Sequence, residues 1–392
     1  MKLPKGFLAS GVRAGLRKDR PDVALLVAGK GANAAAIFTR NRFQAAPVVL
    51  SRNGLARSGG RVRGVVVNAG CANAATGTEG MAAARRVRIR AAELLGCPPE
   101  EVFVASTGVI GVVLPDAKIR AALPEARRRL SAGGLGAASR AILTTDVGPK
   151  VAQASFRAGG RRGRIVGFAK GAGMIHPDMA TMLGFVMTDA EAPPEFLKEA
   201  LRAAAAESFN AISVDGDTST NDTVLLMASG TLGNRPLSGR QGGDFLRALT
   251  DVCRELAWRI VRDGEGATRV MEVTVAGARS RRDADAAVHA IATSPLVKTA
   301  LHGGDPNWGR ILAAAGRSGA RFSEKRVTLK VGDLTLVLNG TLSPYREKDA
   351  ARIFARERVP ILVDLGAGTA SATKLSCDLG HDYVSLNADY RS

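Results

Sequence analysis

Thr181 stands in the stretch KGAGMIHPDMATML, Lys170 to Leu183, directly before the apolar run MLGFVM. A threonine hydroxyl is a poor nucleophile on its own. One known activation uses the residue's own α-amine as the base, once the peptide bond before it has been cut. That amine has a reference pKa of about 7.7 to 8.0, suited to accepting a proton at neutral pH. Thr181 would then be a nucleophile at the start of a rigid strand. A β-branched residue merely opening a strand is the competing reading of this fragment taken alone.

Other candidate chemistry is weaker. DLGAGTA, Asp364 to Ala370, follows a strand as a phosphate-cradling loop would, but lacks the further glycines or the Gly-Lys-Ser/Thr ending such loops need. DGDTSTND, Asp215 to Asp222, offers alternating oxygen ligands, yet Thr220 holds the sixth place, where a calcium loop requires glycine, and Leu226 the twelfth, where it requires a bidentate Glu. That loop is expected to order a site through hydrogen bonds, with no metal. His176, His289, His302 and His381 are the only imidazoles, and no Gly-x-Ser-x-Gly elbow or H-E-x-x-H motif accompanies them. Cys71, Cys97, Cys253 and Cys377 lie far apart and form no C-x-x-C pair, which argues against a zinc site or a disulfide framework.

The elements that must position Thr181 alternate in period. VALLVA, AAAIFT, APVVLS and VRGVVVNAG are expected strands, and GMAAARRVRIRAAELLG a helix with arginines opposite its apolar face. VFVAST, RIVGFAKG, MLGFVMTDA and TVLLMASG are further strands. PPEFLKEALRAAAAESF is expected to be a helix with prolines in its first turn, and the arginine-rich RAGGRRGR a surface loop. A boundary is expected near Ala278 to Asp285, giving a main domain over 1–278 and a smaller C-terminal α/β domain over 279–392. The latter opens on the single helix AAVHAIATSPLVKTALHG and contains the hairpin RVTLKVGDLTLVLNG. The fold class is α/β (α+β).

The formal charge is +19, but arginine outnumbers lysine 42 to 13, the positives are dispersed, and three Tyr, two Trp and twelve Phe offer few stacking platforms. A solvated basic surface is expected rather than a nucleic-acid partner. The basic N-terminus lacks a signal peptide's apolar centre, and no segment reaches the ~18 apolar residues of a spanning helix. Cytoplasmic residence, without a membrane partner, is the expectation.

KGAGMIHPDMATML closely resembles the self-cleaving segment of the ornithine acetyltransferase family, the glutamate N-acetyltransferases of arginine biosynthesis. The resemblance continues through VNAGCANAATG (Val67–Gly77), STGVIG (Ser106–Gly111), TTDVGPK (Thr144–Lys150), SVDGDTSTND (Ser213–Asp222), DGEGATR (Asp263–Arg269), GGDPNWGRI (Gly303–Ile311) and the terminal NADYRS.

The resemblance implies a layered fold like that of N-terminal nucleophile hydrolases and autocatalytic cleavage between Ala180 and Thr181, giving an α chain of 1–180 and a β chain from 181. Thr181 would take acetyl from N-acetylornithine as an ester and pass it to glutamate. Thr107 and Gly108 would supply the oxyanion donors. Thr145, Lys170, Glu265, Asn387 and Ser392 would contact substrate, Glu265 pairing with an ammonium; Val147 stands where the family pattern leads one to expect threonine. No cofactor or metal is implied, and an α2β2 heterotetramer is. Acetyl-CoA stays open as a second donor, because some members use it and others do not. Hydrolysis by a self-processing aminopeptidase or amidase stays open as the competing enzyme class.

Overall fold

A computed structural model describes residues 1–176 and 182–389, the side chains of Arg240 and Gln241 apart. Ala180, Thr181 and Ser392 lie outside the described residues. The chain is mixed α/β with two sheets, in two compact units. One unit holds residues 1–210 and 217–260, the other residues 211–216 and the chain from Val261 onward.

The first unit runs β1 (Phe7–Val12), β2 (Val23–Phe38), α1 (Ala46–Arg57), β3 (Arg61–Cys71), α2 (Gly77–Leu95), β4 (Val102–Val109), α3 (Asp116–Arg128), α4 (Leu135–Ala141), β5 (Lys150–Ala158), β6 (Arg161–Lys170), β7 (Leu183–Thr188) and α5 (Pro194–Ala206). After the short β8 (Ile212–Ser213), which belongs to the other unit, come β9 (Thr223–Ala228) and α6 (Gly243–Arg262). The sheet order is β4-β3-β2-β9-β7-β6-β5, with β1 also paired to β2. Both faces are covered, so successive side chains along a strand enter different cores. Leu26, Val65, Phe103, Phe168 and Phe185 pack with α4 residues, whereas Leu25, Val66 and Val104 pack with residues of α2 and α3.

The second unit contains β10 (Val270–Ala278), α7 (Arg281–Ala292), α8 (Pro295–Gly303), α9 (Trp308–Gly316), β11 (Thr328–Val331), β12 (Leu334–Leu338), β13 (Thr341–Leu342), α10 (Glu347–Phe354), β14 (Arg358–Asp364), β15 (Ala370–Cys377) and α11 (His381–Asp389). Its sheet is ordered β13-β12-β11-β14-β10-β15-β8. The sequence places a boundary near Ala278, after β10. In the structure the division falls at Ile260/Val261, because β10 is a central strand here, hydrogen-bonded to β14 on one side and β15 on the other.

Four local expectations change. APVVLS is the start of helix α1: Pro47 sits in the first turn, where its missing N–H costs nothing, and a run of four apolar residues suits either state. VALLVA and AAAIFT belong to one strand, β2, whose register shifts between Val27 and Ala32. The helix expected through AAVHAIATSPLVKTALHG is two, because Ser294 caps a new start with Pro295 at its first position. RAGGRRGR is the tip of the β5–β6 hairpin, where Gly159 and Gly160 have φ of +55° and +78°, the conformation that two-residue turns need. The glycines of DLGAGTA join β14 to the strand β15, so no helix N-terminus follows that loop. Among the described residues no helix is long and apolar enough to cross a membrane.

Candidate active site

The C-terminal ends of the parallel strands β3 and β4 meet in an irregular register. Gly70 lies opposite Gly108, and Cys71 faces both Thr107 and Val109. Gly70 has φ +101° and Gly108 φ +129°. A Cβ on Gly108 would lie 2.6 Å from Cys71 N and 2.7 Å from Gly70 Cα, so only glycine lets the two backbones approach this closely. Below this bulge the Ser106 hydroxyl donates to Asn68 Oδ1 (2.6 Å), and Asn68 Nδ2 donates to Cys71 O (2.9 Å). Thr107 and Gly108 therefore leave the sheet from a braced strand end, next to each other as the sequence motif requires.

Lys170 ends β6 and is paired in register with Leu183 at the start of β7. Its side chain is buried, and its Nζ donates to Thr107 Oγ1 (3.1 Å) and Thr144 Oγ1 (2.7 Å). Asp146 Oδ2 lies 4.0 Å from the same Nζ. A second buried lysine, Lys150, donates to Asp146 Oδ1 at 2.6 Å, and the backbone N–H groups of Gly171 (2.7 Å) and Thr144 (3.1 Å) also point at this carboxylate. Burial pushes the Asp146 carboxyl up, but the Lys170 and Lys150 ammoniums and these hydrogen bonds outweigh it and hold it down to about 2.

Two ammoniums on one carboxylate leave a net positive charge beside Thr107. Because Lys170 donates to the Thr107 oxygen, the threonine keeps its own proton to donate elsewhere. Thr107 O–H and a neighbouring N–H next to a buried cation form the type of donor set that stabilises an oxyanion.

Thr145 is half-buried, and its neighbour Thr144 is the residue whose hydroxyl meets Lys170. In the second unit Glu265 Oε2 accepts from Asn387 Nδ2 at 2.9 Å. The loop carrying Glu265 is anchored by Asp378, which accepts from Thr268 N (2.8 Å), Thr268 Oγ1 (2.7 Å), Arg269 N (2.9 Å) and His302 Nδ1 (2.7 Å). The structure thus gathers Thr107, Gly108 and Lys170 in one unit, and Glu265 and Asn387 in the other. Asp146, Thr144 and Lys150 were not singled out from the sequence; the signal was an acid four residues before a lysine inside TTDVGPK, which reads equally well as an exposed pair.

The profile of the ArgJ family matches residues 8–392. The chain belongs to the ArgJ family. The arginine biosynthesis bifunctional protein ArgJ of Thermus thermophilus is 49% identical over 391 residues, covering 100% of this chain and 99% of its own. The ArgJ protein of Chlorobaculum tepidum is 45% identical over 390 residues, covering 99% and 96%. A crystal structure of the ArgJ protein from Bacillus halodurans is 40% identical with a TM-score of 0.51, covering 53% of this chain and 98% of that one. With ArgJ relatives matched nearly end to end, this chain is an enzyme of arginine biosynthesis.

Gly108→Ala is expected to force β3 and β4 apart, moving its N–H, and to lower acyl transfer by about 10²-fold, the order of effect seen when an oxyanion donor is misplaced; steady-state rates and a melting curve measure both. Asp146→Asn removes the carboxylate that two buried lysines share and is expected to cost about 3–5 kcal/mol in urea unfolding at pH 7. The Asp146 carboxyl is held below its ordinary 3.8, so its stabilisation is complete above about pH 4 and is lost as pH falls through about 2. An acid titration of stability is expected to show that loss in the wild type and a flatter limb in the variant.

Proposed function

We propose that this chain is a glutamate N-acetyltransferase that cuts itself between Ala180 and Thr181 and then moves acetyl from N2-acetyl-L-ornithine to L-glutamate through an acetyl-Thr181 ester. The Thr181 α-amine takes the proton of the hydroxyl as its oxygen attacks the acetyl carbonyl. Thr107 O–H and Gly108 N–H donate to the oxyanion. Collapse expels ornithine, whose nitrogen takes the proton back, and leaves the ester. Glutamate's α-amine attacks that ester by the reverse steps, so no metal or cofactor enters the chemistry.

The observation that carries this reading is the buried contact of Lys170 with Thr107, at the strand end where the segment containing Thr181 begins. The partner strand β7 resumes two residues after Thr181, at Leu183 in register with Lys170, so the chain leaves and re-enters the sheet beside the oxyanion donors. The Bacillus halodurans chain covers 53% of this one yet 98% of itself, so it is about half as long, as one product of a mid-chain cut would be. Thr145, Glu265, Asn387 and Ser392 are assigned to the two amino-acid substrates, with Glu265 taking an ammonium. The cleaved chains are proposed to assemble as α2β2 in the cytoplasm.

Intact mass spectrometry and a denaturing gel test the scheme. The wild type is expected as two chains split at Ala180/Thr181, and Thr181→Ala as one full-length chain without transfer activity. A Thr181→Ala protein that still splits, or still makes acetylglutamate from acetylornithine, overturns it. Release of free acetate at the rate of ornithine, with glutamate present, would instead mark a hydrolase. Supplying acetyl-CoA in place of acetylornithine measures whether a thioester loads the same residue.

A further inference from the structure

The oxygen-rich stretch DGDTSTND ends in residues that turn inward: Ser219, Thr220, Asn221, Asp222 and Thr223 are all buried. Their partners lie in two different places. Asn221 Nδ2 donates to Ala72 O (2.7 Å) and to Ser106 O (2.8 Å), while Asn221 Oδ1 accepts from the Thr220 hydroxyl (2.6 Å). Every polar atom of that amide is spoken for, so its orientation is fixed. The Ser106 carbonyl shares a rigid peptide plane with the Thr107 N–H, so holding it sets the direction in which the oxyanion strand leaves the sheet.

Asp222, the next residue, reaches the other side. Its Oδ1 accepts from Met182 N at 3.0 Å, and Thr223 N donates to Met182 O at 3.1 Å. Strands β7 and β9 are parallel with Leu183 opposite Thr223, so the carboxyl extends the ladder by one residue, to the peptide that joins Met182 to Thr181. The Asp222 carboxyl is fully enclosed, with Ser219 and Lys170 near it. Burial raises this carboxyl well above the usual carboxylate range, despite the Met182 N–H and the nearby Lys170.

We infer that Asn221 and Asp222 are positioning residues that together fix the strand end carrying Thr107 and Gly108 relative to Met182 at the start of β7: Asn221 holds the first, Asp222 the second. The inference rests on the acetyl-Thr181 reading above and names two residues through which that site is built. Asn221 and Asp222, just before β9, reach different partners, so one dipeptide holds both parts.

Two arms test it. Asn221→Ala, isolated as split protein, is expected to lose about 10- to 100-fold in kcat with KM within about twofold, because misplaced oxyanion donors are felt in the transition state. The loss is to be compared with the fraction of active sites counted by the acetyl burst. Asp222→Ala is expected to slow self-cleavage about 10²-fold in a cell-free translation time course, the cost of misplacing a reacting group by about 1 Å, while Asp222→Asn, which keeps the Oδ1 acceptor, restores it to within a few-fold. Thr181→Ala is run alongside. If that control splits, the acetyl-Thr181 reading fails. If it does not split, but Asp222→Ala cleaves at the wild-type rate, or the Asn221→Ala loss equals its loss of active sites, the positioning inference falls and the transfer reading stands. Should Asp222→Ala fail to fold, the Asn221 arm decides.

Discussion

Two ammonium groups and one carboxylate share a volume from which water is excluded, and they stay there because Asp146 faces both lysines. Asp146 lies between the two lysine side chains, and Lys170 is also close enough to donate to Thr107. The arrangement converts what would be a stability cost into local positive potential beside the residue with the most to gain from it. The Thr144 N–H and the Lys150 side chain both point at this carboxylate.

The rest of the first unit serves this cluster by setting backbone approach. Gly70 and Gly108 let β3 and β4 crowd together at their ends, and Asn68 and Asn221 tie the crowded carbonyls so that they do not relax. Amides suit this task because they satisfy several backbone groups without adding charge to a dry region.

Much of this was legible in the sequence because chemistry and element type were written in short local patterns. STGVIG after an apolar β-branched run gives a strand ending on a hydroxyl and a glycine. KGAGMIHPDMATML between two strands gives a segment held at both ends. What was not legible depends on partners far away in the chain. Whether Asp146 is buried is decided by Lys170, 24 residues on. Whether APVVLS is helix or strand is decided by what covers it, and in the structure Ser51 exchanges hydrogen bonds with the backbone of Val104. The place where the two units divide was hidden for the same reason: β10 reads as one more apolar strand, and only its pairing with β14 and β15 assigns it.

The order of strands in the first sheet has a bearing on what two separate polypeptides would be. Strands β4, β3, β2, β6 and β5 precede Thr181 and strands β9 and β7 follow it, yet β9 and β7 lie in the middle, between β2 and β6. A nick at that residue would divide the first sheet, with the central pair β9 and β7 in one product and the strands on either side of them in the other. The pieces interleave like fingers of two hands, and parting them would mean tearing open the ladders on both sides of β9 and β7. If the chain is cut there as proposed, the intact polypeptide would already have laid these strands side by side, an arrangement that two free chains would have to find by encounter.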